Sequence, residues 1–122
     1  MASNAARDFG EFIRTTREAR RAEDRRYSLR QVALRMGVQP AYLSQIERGQ
    51  ASVPSEERVC QLAEELDVDV DVLLAMAGKV SKDLQEIIRA RPEMFAKLIR
   101  ALREAPDERV EQIAREIRDG DW

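Results

Sequence analysis

The stretch SLRQVALRMGVQPAYLSQIERG, Ser28 to Gly49, sets a Gly and a Pro three residues apart between two short apolar patterns, and few folds accommodate that spacing. Ser28 can cap a helix, because its hydroxyl accepts a free amide of the first turn. Leu29, Val32, Ala33 and Met36 then recur at i, i+3, i+4 and i+7, which predicts an amphipathic helix over about 28–36. Gly37 follows the last apolar residue, where a residue without Cβ enters the left-handed region cheaply, and Pro40 suits the first turn of a new helix. In that second helix, running to Arg48, Leu43 and Ile46 face inward and Val38 plugs the turn. Ala41, Ser44, Gln45 and Arg48 fall on the opposite face. That outer face is small, amide-bearing and basic.

Two helices joined by a three- or four-residue turn containing Gly form the helix-turn-helix unit, whose second helix enters the major groove. An ordinary αα-hairpin uses the same punctuation. What separates the two is that the apolar positions, the turn and the small polar outer face occur together. The whole run resembles the helix-turn-helix of the Cro/CI-repressor (XRE) class, most specifically in YLSQIERG.

The resemblance implies an all-α, five-helix lambda-repressor-like domain that binds double-stranded DNA. Its base-reading positions fall on Gln39, Pro40, Ala41, Ser44 and Gln45, and its phosphate-contact positions on Ser28, Arg30, Arg48 and Gln50. Relatives often carry Gln or Ser where Pro40 and Ala41 stand, so polar readout concentrates on Gln39 and Gln45. Leu29 replaces a Gln common in relatives, which leaves Arg30 as the substitute phosphate contact. The family also pairs an Arg late in its first helix with the Glu of the I-E-R-G run, and here those residues are Arg17 and Glu47. Breaking one partner of such a buried pair can cost about 3–5 kcal/mol.

A net charge of −2 argues against a polyanion partner until it is split by segment. Residues 7–50 carry ten Arg against six acids, residues 51–79 two bases against seven acids, and residues 80–122 nine bases against ten acids. The positive charge is thus concentrated around the two-helix motif, and local field rather than net charge governs phosphate contact. With no His and one Cys, the chain holds no zinc site and no His-based catalytic constellation. It also lacks a Gly-rich phosphate loop, so neither an enzyme nor a cofactor is expected. Cys60 lies in an apolar helical pattern with Val59, Leu62 and Ala63, which favours core packing over a reactive role. No apolar run approaches the roughly eighteen residues of a membrane span and no signal peptide opens the chain, so a cytoplasmic location is expected.

Taken in order, residues 1–7 are expected to be a disordered N-terminus and residues 8–78 the DNA-binding domain. Phe9, Phe12, Ile13 and Thr16 predict a first helix over about 8–21. The segment RRAEDRRY that follows is longer than the usual family connection. It either extends that helix or forms a loop carrying Arg25 and Arg26 toward phosphate. Ser55 caps a helix with Val59, Leu62, Ala63 and Leu66 inward, and Asp69 caps a short one that includes Val72, Leu73 and Met76 before Gly78. The resemblance covers residues 8–78 and stops there.

Residues 79–122 read as three amphipathic helices that start near Ser81, Pro92 and Pro106. About forty residues make a marginal core, so their apolar stripes need a second surface. Phe95, Leu98, Ile99, Leu102, Val110, Ile113 and Ile117 form the expected interface of a homodimer, with a cap on the chain's own domain as the other arrangement. Trp122 either closes over that interface or stays in solvent. These readings combine into a dimeric, sequence-specific repressor that reads the major groove with helix 39–48. The competing class is an antitoxin or protein-interaction module, whose 79–122 helices bind a toxin or another protein.

Overall fold

The computed structural model describes residues 4–120, and every regular element among them is helical. Two compact units divide the chain, one ending at Ser81 and one beginning at Lys82. Among the described residues, no helix is long and apolar enough to cross a membrane.

The first unit opens with α1, Asn4–Arg21, which buries Ala6, Phe9, Gly10, Ile13 and Arg17 along one stripe. For residues 4–7 this start corrects the expected disorder and the expected first helix at 8, because they already belong to α1. Residues 1–3 lie outside the described part. The reason is local and tertiary at once: Ala5 and Ala6 are strong helix formers, and buried Ala6 carries the stripe one turn further back.

The 22–27 segment is not an extension of α1. The Asp24 carboxylate accepts the Arg26 amide at 2.9 Å and caps a single 3-10 turn, Arg25–Tyr27. Ser28 then caps α2, Leu29–Met36, by accepting the Gln31 amide at 3.2 Å. Gly37 ends α2 at φ 72°, and the Val38 amide closes the turn on the Ala33 carbonyl at 3.0 Å. Pro40 opens α3, Pro40–Glu47, whose buried residues are Leu43, Ile46 and Glu47.

Ser55 caps α4, Glu56–Leu66, which buries Val59, Leu62, Ala63 and Leu66, with Cys60 packed half-buried at the core's edge. Asp69 caps α5, Val70–Met76. There Leu73 and Leu74 carry the burial, while Val72 is exposed. Leu73, Leu74 and Ala77 share one side of this two-turn helix, and Val72 falls a quarter turn outside it. The core runs from Phe9 to Leu74 in sequence and takes residues from all five α-helices of the unit.

The second unit contains α6, Lys82–Ala90; α7, Pro92–Leu102; and α8, Asp107–Asp119, which follows Pro106. None of its described side chains is fully buried. Phe95, Leu102, Val110 and Ile113 are half-buried, whereas Leu98, Ile99 and Ile117 are 50%, 47% and 61% exposed. Trp122 lies outside the described residues.

Candidate nucleic-acid interface

The inner side of α3 is committed to α1 at close range. Gly10 sits where a Cβ would overlap the Ile46 carbonyl oxygen and lie 2.9 Å from that of Glu47, so α1 approaches the last turn of α3 backbone to backbone. Gly49, at φ 69°, would likewise place a Cβ 2.7 Å from the Cγ of Arg7. The first turns of α1 therefore pass close against the end of α3.

Arg17 and Glu47 lock this contact. Arg17 Nε donates to Glu47 Oε2 at 2.7 Å, Nη2 to Oε1 at 2.8 Å, and Nη1 to the Tyr27 carbonyl at 3.2 Å. Both side chains are about 95% buried. The hydrogen bonds that Arg17 donates to Glu47 push the pKa of its guanidinium above the ordinary value, outweighing desolvation, which acts the other way. A bidentate, buried pair fixes orientation as well as distance.

The opposite face of α3 is open. Ala41, Gln45 and Arg48 are exposed together with Gln39 before the helix and Gln50 after it, while Pro40 and Ser44 are half-buried. Gln39 makes no capping hydrogen bond, so its amide stays available, and the Arg48 Nε lies only 3.4 Å from the Ser44 carbonyl. All five expected base-reading residues thus lie on α3 or its cap. The expected phosphate contacts fall at two places: Ser28 and exposed Arg30 at the start of α2, and Arg48 and Gln50 at the end of α3. Ser28 Oγ accepts the Gln31 amide, which leaves its hydroxyl proton to donate elsewhere. The seven residues expected at a dimer interface all belong to the second unit.

Some contacts that shape this face have no local signal. Arg35 Nε reaches Glu65 Oε2 at 2.6 Å across thirty positions, and Tyr27 lies beneath two cations, Arg20 and Arg35, at 5.9 and 6.0 Å. Arg26 folds back onto Asp24 through contacts of 2.8–3.2 Å. The Arg26 side chain first and its amide second hold the Asp24 carboxyl below its ordinary value. Arg21, Arg25, Arg26, Ser28 and Gln31 line an open cleft of about 550 Å³. Arg21 and Gln31 had not stood out from the sequence.

Comparison with known proteins matches the chain within the first unit. Residues 8–76 match the family model described as a helix-turn-helix domain. Two curated relatives, from two strains of Mycobacterium tuberculosis and each named an uncharacterized HTH-type transcriptional regulator, are 44% identical over 69 residues. That alignment takes in 57% of this chain and 45% of each relative, so the chain matches slightly less than half the length of these proteins. No solved structure gives a significant match.

Proposed function

Because the chain belongs to the helix-turn-helix domain family, we propose that it is a sequence-specific, DNA-binding transcriptional regulator acting as a dimeric repressor in the cytoplasm. One observation carries the reading: α3 is gripped along its inner side by Gly10 and the Arg17–Glu47 pair, while Gln39, Ala41 and Gln45 face outward. Such a helix can enter the major groove without rearranging its own domain. A Gln amide pairs bidentately with adenine, and Ala41 and Pro40 offer apolar contact to a thymine methyl. Ser28 and Arg30 on one side of α3, and Arg48 and Gln50 on the other, hold the phosphates that set its register.

Dimerisation draws support from the apolar surface of the second unit, where Met94, Leu98, Ile99 and Ile117 are exposed. A two-fold dimer reads two half-sites about 34 Å apart, and the bound pair occludes a promoter. The same apolar surface also fits an interaction module that binds a different protein.

Selection of binding sites from random duplex DNA, followed by sedimentation of the full chain at micromolar concentration, separates these readings. The expected result is an enriched site with two-fold symmetry and a dimer in solution. Failure to enrich any site, with a monomeric chain, would overturn the repressor reading in favour of the interaction module.

A further inference from the structure

We propose that the cleft between the end of α1 and the start of α2 is a phosphate clamp for the DNA backbone, formed by Arg21, Arg25, Ser28 and Gln31. This rests on the DNA-binding reading above and adds to it residues outside the two-helix motif. Arg21, Arg25, Arg26, Ser28 and Gln31 line one open cleft, and no carboxylate is among its lining residues.

The neighbouring acids are occupied or aimed elsewhere. Asp24 is spent on Arg26, whose guanidinium and amide it binds at 2.8–3.2 Å, and Glu18 lies 4.0 Å from Arg17. Glu23 is exposed and does not line the cleft. Arg26 is therefore the neutralised cation of the three. Arg21 and Arg25 are exposed and have no ion-pair partner among the described residues.

Two further donors converge on the same place. The Ser28 hydroxyl keeps its proton, because its oxygen serves as acceptor for the α2 cap. The Gln31 side-chain amide lines the same cleft and brings N–H donors of its own. Guanidinium, hydroxyl and side-chain amide donors around an opening with no acid in its lining match a phosphate oxygen set. A free phosphate-bearing small molecule has the same chemistry. The cleft is open and shares Ser28 with the proposed phosphate track, which favours the duplex backbone.

The capped 3-10 turn gives the longer connection a purpose. Asp24 both caps the turn and removes Arg26 from the count, so the turn presents Arg25 while the last turn of α1 presents Arg21.

The test is binding of the full chain to a non-specific duplex by fluorescence anisotropy, between 50 and 200 mM NaCl, with circular dichroism as the folding control. Arg21→Gln and Arg25→Gln should each lower the slope of log affinity against log salt by about 0.9, the value for one lost phosphate contact. Arg103→Gln, which removes an exposed arginine of the second unit outside the cleft, should leave the slope unchanged. Unchanged slopes in Arg21→Gln and Arg25→Gln, with wild-type binding intact, would overturn the clamp and leave the DNA-binding reading standing. No duplex binding by the wild-type chain would overturn both. Titration of inorganic phosphate and pyrophosphate by calorimetry decides the source. Saturable binding that Arg25→Gln abolishes, alongside unchanged salt slopes, would assign the cleft to a small molecule and overturn the backbone clamp.

Discussion

Replacing Arg17 by Met tests whether the seat of α3 depends on its buried pair. Met keeps most of the aliphatic length but removes two charge-assisted hydrogen bonds, at 2.7 and 2.8 Å, and the donor to the Tyr27 carbonyl at 3.2 Å. Glu47, about 97% buried, is then left as an unpartnered carboxylate. Loss of one partner from a buried pair costs about 3–5 kcal/mol, chiefly as desolvation of the survivor. An 81-residue unit has on the order of 4–12 kcal/mol of total stability, so Arg17→Met should leave the first unit marginally folded at 25 °C. Replacing both partners, Arg17→Met with Glu47→Leu, should recover most of the loss, because no orphaned charge remains. Urea unfolding of the wild type, both single variants and the double variant gives the coupling directly. A loss below about 1 kcal/mol in Arg17→Met, or a double variant no more stable than the singles, would refute the assignment of α3's orientation to this pair.

Gly10→Ala gains about 1 kcal/mol of helix propensity but drives a Cβ into the Ile46 carbonyl, a backbone group that cannot swing aside. The expected net result is a loss of about 1–3 kcal/mol in urea unfolding, and a stabilised variant would show that the helices are not in close contact. Gln45→Ala should weaken the selected site by about 1–3 kcal/mol and random DNA hardly at all, whereas an equal loss on both would remove Gln45 from the base readers. Arg30→Gln and Arg48→Gln should weaken all sequences alike and lower the salt slope by about one each, and unchanged slopes would take them off the phosphate track. A chain ending at Ser81 keeps the whole first-unit core, so it should fold as a monomer while the full chain sediments as a dimer; a dimeric truncated chain would refute the role given to α7 and α8. Asp24 is depressed below 3.8 in the folded chain, so its contribution is present above that value and is lost as pH falls through the lower folded value. Asp24→Asn should flatten the acid limb of the stability curve there, and an identical limb would contradict the Asp24–Arg26 contact.

The limits of most helices could be read from the sequence because their signals act within four residues. Ser28 on Gln31, Ser55 on Arg58 and Asp69 on Val72 are contacts of one turn, and Gly37 and Pro40 act through their own dihedral preferences. The outward face of α3 follows from the same period, since burying Leu43 and Ile46 leaves Ala41, Ser44 and Gln45 on the other side. Where local options were balanced, the chain alone did not decide. Residues 22–27 combine helix-forming Arg, Ala and Glu with the capping Asp24, and the Arg26 side chain folding onto Asp24 settles the matter for a 3-10 turn. Likewise Asn4–Arg7 show no apolar period, and the helix propensity of Ala5 and Ala6 prevails there because Ala6 is buried and Arg7 packs against Gly49. The Arg17–Glu47 contact was reached through family resemblance, since nothing in periodicity links positions thirty apart. Arg35 with Glu65, Tyr27 beneath two guanidinium groups and Gly10 against the Ile46 carbonyl had no signal at all. Such pairings are selected only when packed helices bring distant residues within a few ångströms, a distance that hydrophobic period and capping chemistry do not encode.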